Sequence, residues 1–210
     1  CPPCAKSLQT IIHPCRQCGR SMRRLPALTT ICGTCLAMQP SFDRTIAPFD
    51  YQPPISKLIM QLKFQRQLGH AKILAQLLEP YLIQHHSAQH CPELLIPVPL
   101  HRSRLQQRGF NQAHQIAKHI HKIRHIPIDT TTIIRKKATQ AQATLPAKQR
   151  LLNVKQAFTL AAPINASHVA IIDDVITTGH TINAISKLLK QHGVKTVEVW
   201  TIARAQLTIT

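Results

Sequence analysis

Two adjacent carboxylates, Asp173 and Asp174, stand between four apolar residues, Val169 to Ile172, and a run of small, mostly hydroxylated ones, Thr177, Thr178, Gly179, His180 and Thr181. The apolar run reads as a strand buried on both faces, because a half-buried strand would alternate apolar with polar. The acids then fall where a parallel strand leaves its sheet, the edge at which open α/β sheets hold their ligands. The turn after them runs into Ile182, Ile185, Leu188 and Leu189, spaced as on a helix over residues 181–192. Backbone N–H groups, three hydroxyls and the positive end of that helix meet there, which makes an anion site. Carboxylates repel phosphate, but they accept hydrogen bonds from vicinal hydroxyls and help to hold a hard cation such as Mg²⁺. An anion site a few residues from hydroxyl acceptors describes a sugar phosphate. No Gly-Lys-Ser or Gly-Lys-Thr follows the strand, which excludes a Walker loop.

A second chemistry lies in three Cys-x-x-Cys pairs: Cys1 with Cys4, Cys15 with Cys18, Cys32 with Cys35. A two-residue gap lets both thiolates of a pair point at one metal, and two pairs supply a tetrahedral Zn²⁺. Cys15, Cys18, Cys32 and Cys35 make one complete set, with the spacing of a zinc ribbon. Cys1 and Cys4 are left over, as half of a second site or as partners of Cys15 and Cys18. His13 is a substitute ligand or an ordinary loop histidine. The segment has few large apolar residues, so the metal supplies most of its folding free energy. Its Arg16, Arg20, Arg23 and Arg24 either touch nucleic acid or solvate the ribbon. Cys91, alone before Pro92, reads as a structural thiol.

A third group follows the buried strand Leu94 to Leu100. Arg102, Arg104 and Arg108 fall within seven residues at its carboxyl end, where guanidinium groups clamp pyrophosphate or a nucleic-acid backbone. Lys136 and Lys137 extend the basic character. The chain carries 26 Lys and Arg against 8 Asp and Glu, a formal net charge of +18, which points to a polyanionic partner. Residues 101–155 hold twelve of those cations and a single acid, Asp129. No apolar run approaches the roughly 20 residues that span a bilayer, and no signal peptide precedes the fold. Paired thiols suit a reducing compartment, so the expected location is the cytoplasm, without membrane insertion. A chain opening on Cys1 reads as trimmed or incomplete at its N-terminus.

The elements that position these groups follow from periodicity. A short strand is expected over 47–51. Pro53 and Pro54 open a helix with Ile55, Leu58, Ile59, Leu62 and Phe64 on its apolar face, flanked by Lys57, Lys63 and Arg66 as a solvated face. A second helix spans about 68–83, with Leu74, Leu77, Leu78 and Leu82 inward. A third covers 111–124 with Ala113, Ile116, Ala117 and Ile120 inward, its histidines facing solvent. Residues 135–155 read as a long polar loop, and such loops are usually functional or disordered. The last strand covers 196–203, with Gly193 closing the helix before it. The division is a zinc ribbon over 1–44 and an α/β domain over 45–210.

The stretch of four hydrophobics, two acids, two hydrophobics and Thr-Thr-Gly-x-Thr resembles the phosphoribosyl pyrophosphate (PRPP) motif of type I phosphoribosyltransferases. Pro97-Val98-Pro99-Leu100-His101 followed by Arg108-Gly109-Phe110-Asn111-Gln112 is similar to the signature of the ComF family, phosphoribosyltransferase-like proteins associated with natural competence, with the GntX proteins as close relatives. The resemblance extends from the cysteine pairs through Tyr51, Pro54, Leu62-Lys63-Phe64, Gln142, Leu145, Arg150, Asn153 and Ala157-Phe158. That family often has a further Cys-x-x-Cys upstream, so the number of zinc ions is open. The resemblance implies a type I phosphoribosyltransferase-like α/β fold, a mainly parallel sheet flanked by helices, with the N-terminal zinc ribbon. It implies PRPP with Mg²⁺ on Asp173, Asp174 and Thr177 to Thr181, Asp173 and Asp174 being the catalytic acids, and residues 135–155 as a loop closing over PRPP.

Three functions fit. One is a DNA-uptake protein that binds incoming single-stranded DNA beside a PRPP site, with other DNA-uptake or recombination proteins as partners. The second is a transferase in which an unidentified acceptor attacks C1 of PRPP and pyrophosphate leaves. The third is a non-catalytic PRPP sensor. The charge of residues 101–155 favours the first, although eight aromatics leave few platforms for stacked bases.

Overall fold

The computed structural model describes residues 7–22, 30–86, 90–136 and 157–206. Cys1, Cys4, Arg23, Arg24, Lys137, Gln142, Leu145, Lys148, Arg150 and Asn153, and with them most of the 135–155 loop, lie outside the described residues. The sheet is parallel. Strand β1 (Arg44–Ile46) and strand β2 (Phe49–Asp50) pair successive parts of β7 (Thr196–Arg204), which pairs β6 (His168–Ile176), which pairs β3 (Leu94–Pro97). An antiparallel pair, β4 (Ile133–Arg135) with β5 (Phe158–Leu160), stands apart.

The run from Val169 to Ile172 is fully buried on both sides, as its lack of alternation requires. Val169 and Ile171 face a core shared with Ile182, Ile185 and Leu189 of helix α6 (His180–Gln191). Ala170 and Ile172 face the opposite core. There α2 (Ile55–Gln65), α3 (Gly69–His85) and α5 (Gln112–Arg124) pack Ile59, Leu74, Leu78, Ile116 and Ile120. Each such side chain contributes about 1.5–3 kcal/mol by leaving water. Among the described residues, no helix is long and apolar enough to cross a membrane.

The strand expected over 47–51 is confined to Phe49–Asp50, and four further details differ from expectation. Strand β6 does not stop at the acids but continues to Ile176, because β7 runs alongside it to Arg204. Its other neighbour, β3, ends opposite Ile172. The acids therefore sit inside a strand, just past the end of the neighbouring one. Residues 102–108, to which the sequence assigned a clamp but no element, form a short helix α4 (Arg102–Arg108). Phe64 is 65% exposed, away from the core its spacing suggested. Gly193, at φ 93°, follows the C-cap His192 and does not occupy the cap itself.

Near the amino end of β6 the core encloses a charge. Glu198 of β7 is 4% exposed and accepts hydrogen bonds from Arg44 at 2.6 Å, His86 at 2.7 Å, Trp200 Nε1 at 2.8 Å and His168 at 3.2 Å. Burial pushes its carboxyl up, but the hydrogen bonds from His168, His86 and Trp200 outweigh burial and hold it well below the usual range. A depressed folded pKa means stability that is complete above the unfolded value of 4.5 and lost as pH falls through the folded one. Glu198→Gln should therefore cost roughly 2 kcal/mol in denaturant titrations at neutral pH. That cost should shrink below pH 4.5. An equal cost at acid and neutral pH would deny the network its charged character.

Candidate functional site

At the carboxyl end of β6 the acidic pair is ringed by cations. Asp174 is 2% exposed and Asp173 half-buried. Lys63 of α2 forms an ion pair with Asp174 Oδ2, and the Asp174 N–H donates to Asp173 Oδ1 at 2.9 Å. Burial, then the charge of Asp174, raises the Asp173 carboxyl well above its ordinary value, and Lys63 opposes that shift. Arg108 interacts with Asp174, and Arg135 with Asp173, each against the repulsion of Arg104. Lys63, expected on a solvated face, thus belongs to the site.

The three arginines of α4 do not converge. Arg104 and Arg108 are four residues apart and share one helix face, whereas the helical turn carries Arg102 to another. The residues after α4 account for the Arg-Gly-Phe-Asn-Gln run. Gly109 ends the helix at φ 81°, where only glycine is unstrained. Asn111 caps α5 by accepting from the N–H groups of Ala113 and His114, and its amide donates to Val98 O at 2.9 Å, tying α5 to the exit of β3. Gln112, buried, accepts from Arg108 Nη1 at 2.6 Å and aims that guanidinium. A cavity of about 400 Å³ opens at this end of β3, lined by Pro97, Pro99, Phe110, Asn111, His114 and Thr130 among others. Lys136 is exposed just past β4.

Thr177 and Thr178 are exposed, and Gly179, at φ 81°, is the N-cap of α6. Thr178 Oγ1 lies 3.2 Å from His180 Nδ1, and Thr181 occupies the first turn of the helix. The turn is anchored from behind by a residue that spacing did not single out. Arg204, 2% exposed, donates from Nη1 to Ile176 O at 3.0 Å and to Thr177 O. A trans peptide sets C=O and N–H on opposite sides, so carbonyls held inward turn the N–H groups of Thr177 and Thr178 outward, where an anion could accept from them.

The same guanidinium reaches the cysteines, its Nε donating to Cys18 O at 3.0 Å. The thiols of Cys15, Cys18, Cys32 and Cys35, the last on the short helix α1 (Gly33–Met38), lie within 4.8 Å of one another. The Cys18 and Cys32 sulfurs are 3.7 Å apart, close to the roughly 3.8 Å edge of a tetrahedron with metal–sulfur bonds of about 2.3 Å. The four could hold a metal ion. They already act on one another: the hydrogen bond with Cys18 holds the Cys15 thiol down at about 4, and burial pushes Cys35 up to about 12. Gly19, at φ 69°, sits so close to Thr45 and Ala47 that a Cβ there would lie 3.0 Å from Ala47 Cβ. Gln17 donates to Pro40 O and Phe42 O, both at 3.1 Å, and its own carbonyl accepts from Thr45 Oγ1 at 2.6 Å. A small cavity of about 70 Å³ separates this knuckle from the turn at Thr178 and Gly179.

The family model of the phosphoribosyl transferase domain matches residues 105–207, which include both acids and the turn. Competence protein F of Haemophilus influenzae is 39% identical over 212 residues, 98% of this chain and 90% of its own. DNA utilization protein YhgH of Escherichia coli O157:H7 is 38% identical over 208 residues, 97% and 89% of the two chains. Among solved structures, a purine phosphoribosyltransferase from Pyrococcus horikoshii Ot3 overlays 67% of this chain and 83% of its own at 17% identity, with a TM-score of 0.36, too loose a likeness to argue from.

Proposed function

The chain belongs to the ComF family of phosphoribosyltransferase-like proteins, and we propose that it is a cytoplasmic DNA-uptake protein that binds PRPP and single-stranded DNA at one strand-end site. One observation carries the reading: a buried Asp174, a half-buried Asp173 and a turn whose carbonyls Arg204 holds lie at one strand end, with Lys63 paired to Asp174 and Arg104, Arg108 and Arg135 nearby. Asp173 and Asp174 accept from the ribose hydroxyls, while Thr177 to Thr181 receive the 5′-phosphate. Arg104 and Arg108 face the pyrophosphate or a strand backbone, and Arg102, Lys136 and Lys137 serve as further contacts to phosphate. Zinc, held by Cys15, Cys18, Cys32 and Cys35, is structural.

With Asp173 Oδ1 and Asp174 Oδ2 already engaged, one oxygen per acid remains for a cation. That fits Mg²⁺ carried mainly by substrate oxygens, not one caged by protein. When bound, it would neutralise the pyrophosphate charge. Asn at both acidic positions should weaken PRPP binding roughly ten- to a hundred-fold in calorimetry, the sum of hydrogen bonds worth about 0.5–1.5 kcal/mol each. Asp173→Asn alone should also raise Tm at neutral pH. A carboxyl whose folded pKa is raised loses stability as pH climbs through that value, and the amide has no such loss. Unchanged PRPP affinity would reduce the acids to scaffolding.

Labelled single-stranded and double-stranded DNA, titrated with and without PRPP and Mg²⁺, tests the whole reading. Binding should be sequence-independent and fall steeply with salt, with a slope of about −0.7 per phosphate contact on single strands. Arg104→Glu with Arg108→Glu should flatten that slope by roughly one to two units. Loss of PRPP affinity with DNA affinity intact would assign the pair to pyrophosphate. Release of pyrophosphate in the presence of nucleobases or nucleotides would make the protein a transferase, and PRPP binding without DNA binding would make it a sensor.

A further inference from the structure

Phe64 is the aromatic residue of α2 that the core does not take. Ile55, Ile59 and Leu62 of the same helix are buried, whereas Phe64 is 65% exposed. A lone exposed ring needs no explanation, but the surroundings of this one are unusual. Its neighbour Lys63 pairs with Asp174, and the Arg108 guanidinium stands 5.4 Å from the ring centroid. Lys63, Phe64, Arg66, Gln107 and Arg108 line a cavity of about 270 Å³. Arg66 is held in the left-handed region at φ 54° as the C-cap of α2, and its Nη2 lies 3.9 Å from where a Cβ would stand on Gly109. The pocket therefore has three cationic walls, one aromatic wall and one amide, and it opens beside the acidic pair.

That combination selects a ligand. Pockets for whole small molecules begin at roughly 300 Å³, so this one suits a single ring system. An aromatic face flanked by cations fits a planar base with phosphates on either side. We infer that Phe64 is the stacking platform for one base of a single-stranded DNA ligand, with Arg66 and Arg108 on the adjoining phosphates and the Gln107 amide at the base edge. The inference rests on the DNA-binding reading above and adds to it the point where the strand meets the acidic site. It also answers the scarcity of aromatics, since one platform beside the acidic pair is enough to seat one nucleotide.

The test compares an oligothymidine strand with an abasic strand of equal length, for the wild type and Phe64→Leu. Stacking is worth about 1–3 kcal/mol per base, so the wild type should prefer thymidine by roughly 5- to 150-fold. Phe64→Leu should erase the preference and leave abasic affinity unchanged. Because Phe64 is largely exposed, the substitution should not disturb folding. In Phe64→Trp, thymidine strands should quench the new fluorescence over the constant signal of Trp200, which is fully buried, and abasic strands should not. A wild-type preference that persists in Phe64→Leu, or an unquenched Trp, overturns the inference while leaving DNA binding standing. A wild type that binds neither strand removes the DNA-binding reading itself, and the inference with it. Competition by thymidine monophosphate at strand-like concentrations overturns the assignment to a strand.

Discussion

Arg204→Met should lower the unfolding free energy by about 2–6 kcal/mol and disorder the turn that follows β6. The estimate comes from counting acceptors. Arg204 donates to Cys18 O, Ile176 O, Thr177 O and Ala205 O. Ile176 O keeps a second donor, the Ala205 N–H at 2.9 Å, so its loss is small. Cys18 O and Thr177 O have no other donor among the described hydrogen bonds, and a hydrogen bond from a charged donor contributes about 1.5–3 kcal/mol, less at the exposed Thr177, where water replaces it. Methionine fills much of the volume, so the loss is one of hydrogen bonds rather than of packing. Arg204→Lys should recover part of it, since an ammonium reaches some of these carbonyls but lacks the planar fork that bridges two elements. Hydrogen exchange at Ala205, whose N–H donates to Ile176 O at the base of the turn, should quicken in the methionine variant beyond what global destabilisation predicts. A variant within about 0.5 kcal/mol of the wild type, with unchanged exchange, would mean that the turn holds its own shape.

What could be read from the sequence was what depends on local spacing. The four apolar residues before Asp173, the helical period after Gly179 and the two-residue gaps of Cys15 with Cys18 and of Cys32 with Cys35 each carry their own signal, and the structure has them as expected. Helix α4 was not legible because Arg102 to Arg108 contains one apolar residue, Leu105, and so shows no period. Its existence depends on the His101 and Gly109 caps. Lys63 and Phe64 were both assigned by helical phase, and phase fixes a direction but not what stands there. Glu198 and Arg204 offered a clue that went unused: a charge in an apolar strand that is buried on both faces must be paired. Val197-Glu198-Val199-Trp200 meets that condition. The partners of both residues come from up to 186 positions away, and no local pattern names them.

Loss of the metal should have the other large effect, and its reach should follow the same guanidinium. Cys32→Ala is expected to bring the metal content from one ion per chain to none, because a tetrahedral thiolate site with three ligands is open to water and exchange. Little else holds the cysteine segment. Its described apolar burial amounts to Ile11 and Phe42 besides Cys15 and Cys35, whereas zinc contributes about 10–16 kcal/mol to the folding of small zinc peptides. The segment should therefore lose hydrogen-exchange protection at Cys15, Gly19 and Cys35, whose N–H groups donate to Arg20 O, Cys15 O and Cys32 O. The parallel sheet, with its own two cores, should keep its protection. Between them lies Arg204, which would then donate to a Cys18 carbonyl no longer held in place. Exchange at Ala205, whose N–H donates to Ile176 O, should rise with metal loss, and Arg204→Met should abolish that rise, since the link is already cut. Metal content unchanged by Cys32→Ala would refute the four-cysteine site. A wild-type content above one ion per chain would bring in Cys1 and Cys4. Metal loss that frees the cysteine segment but leaves exchange at Ala205 untouched would show that Arg204 holds the turn from the β7 side alone.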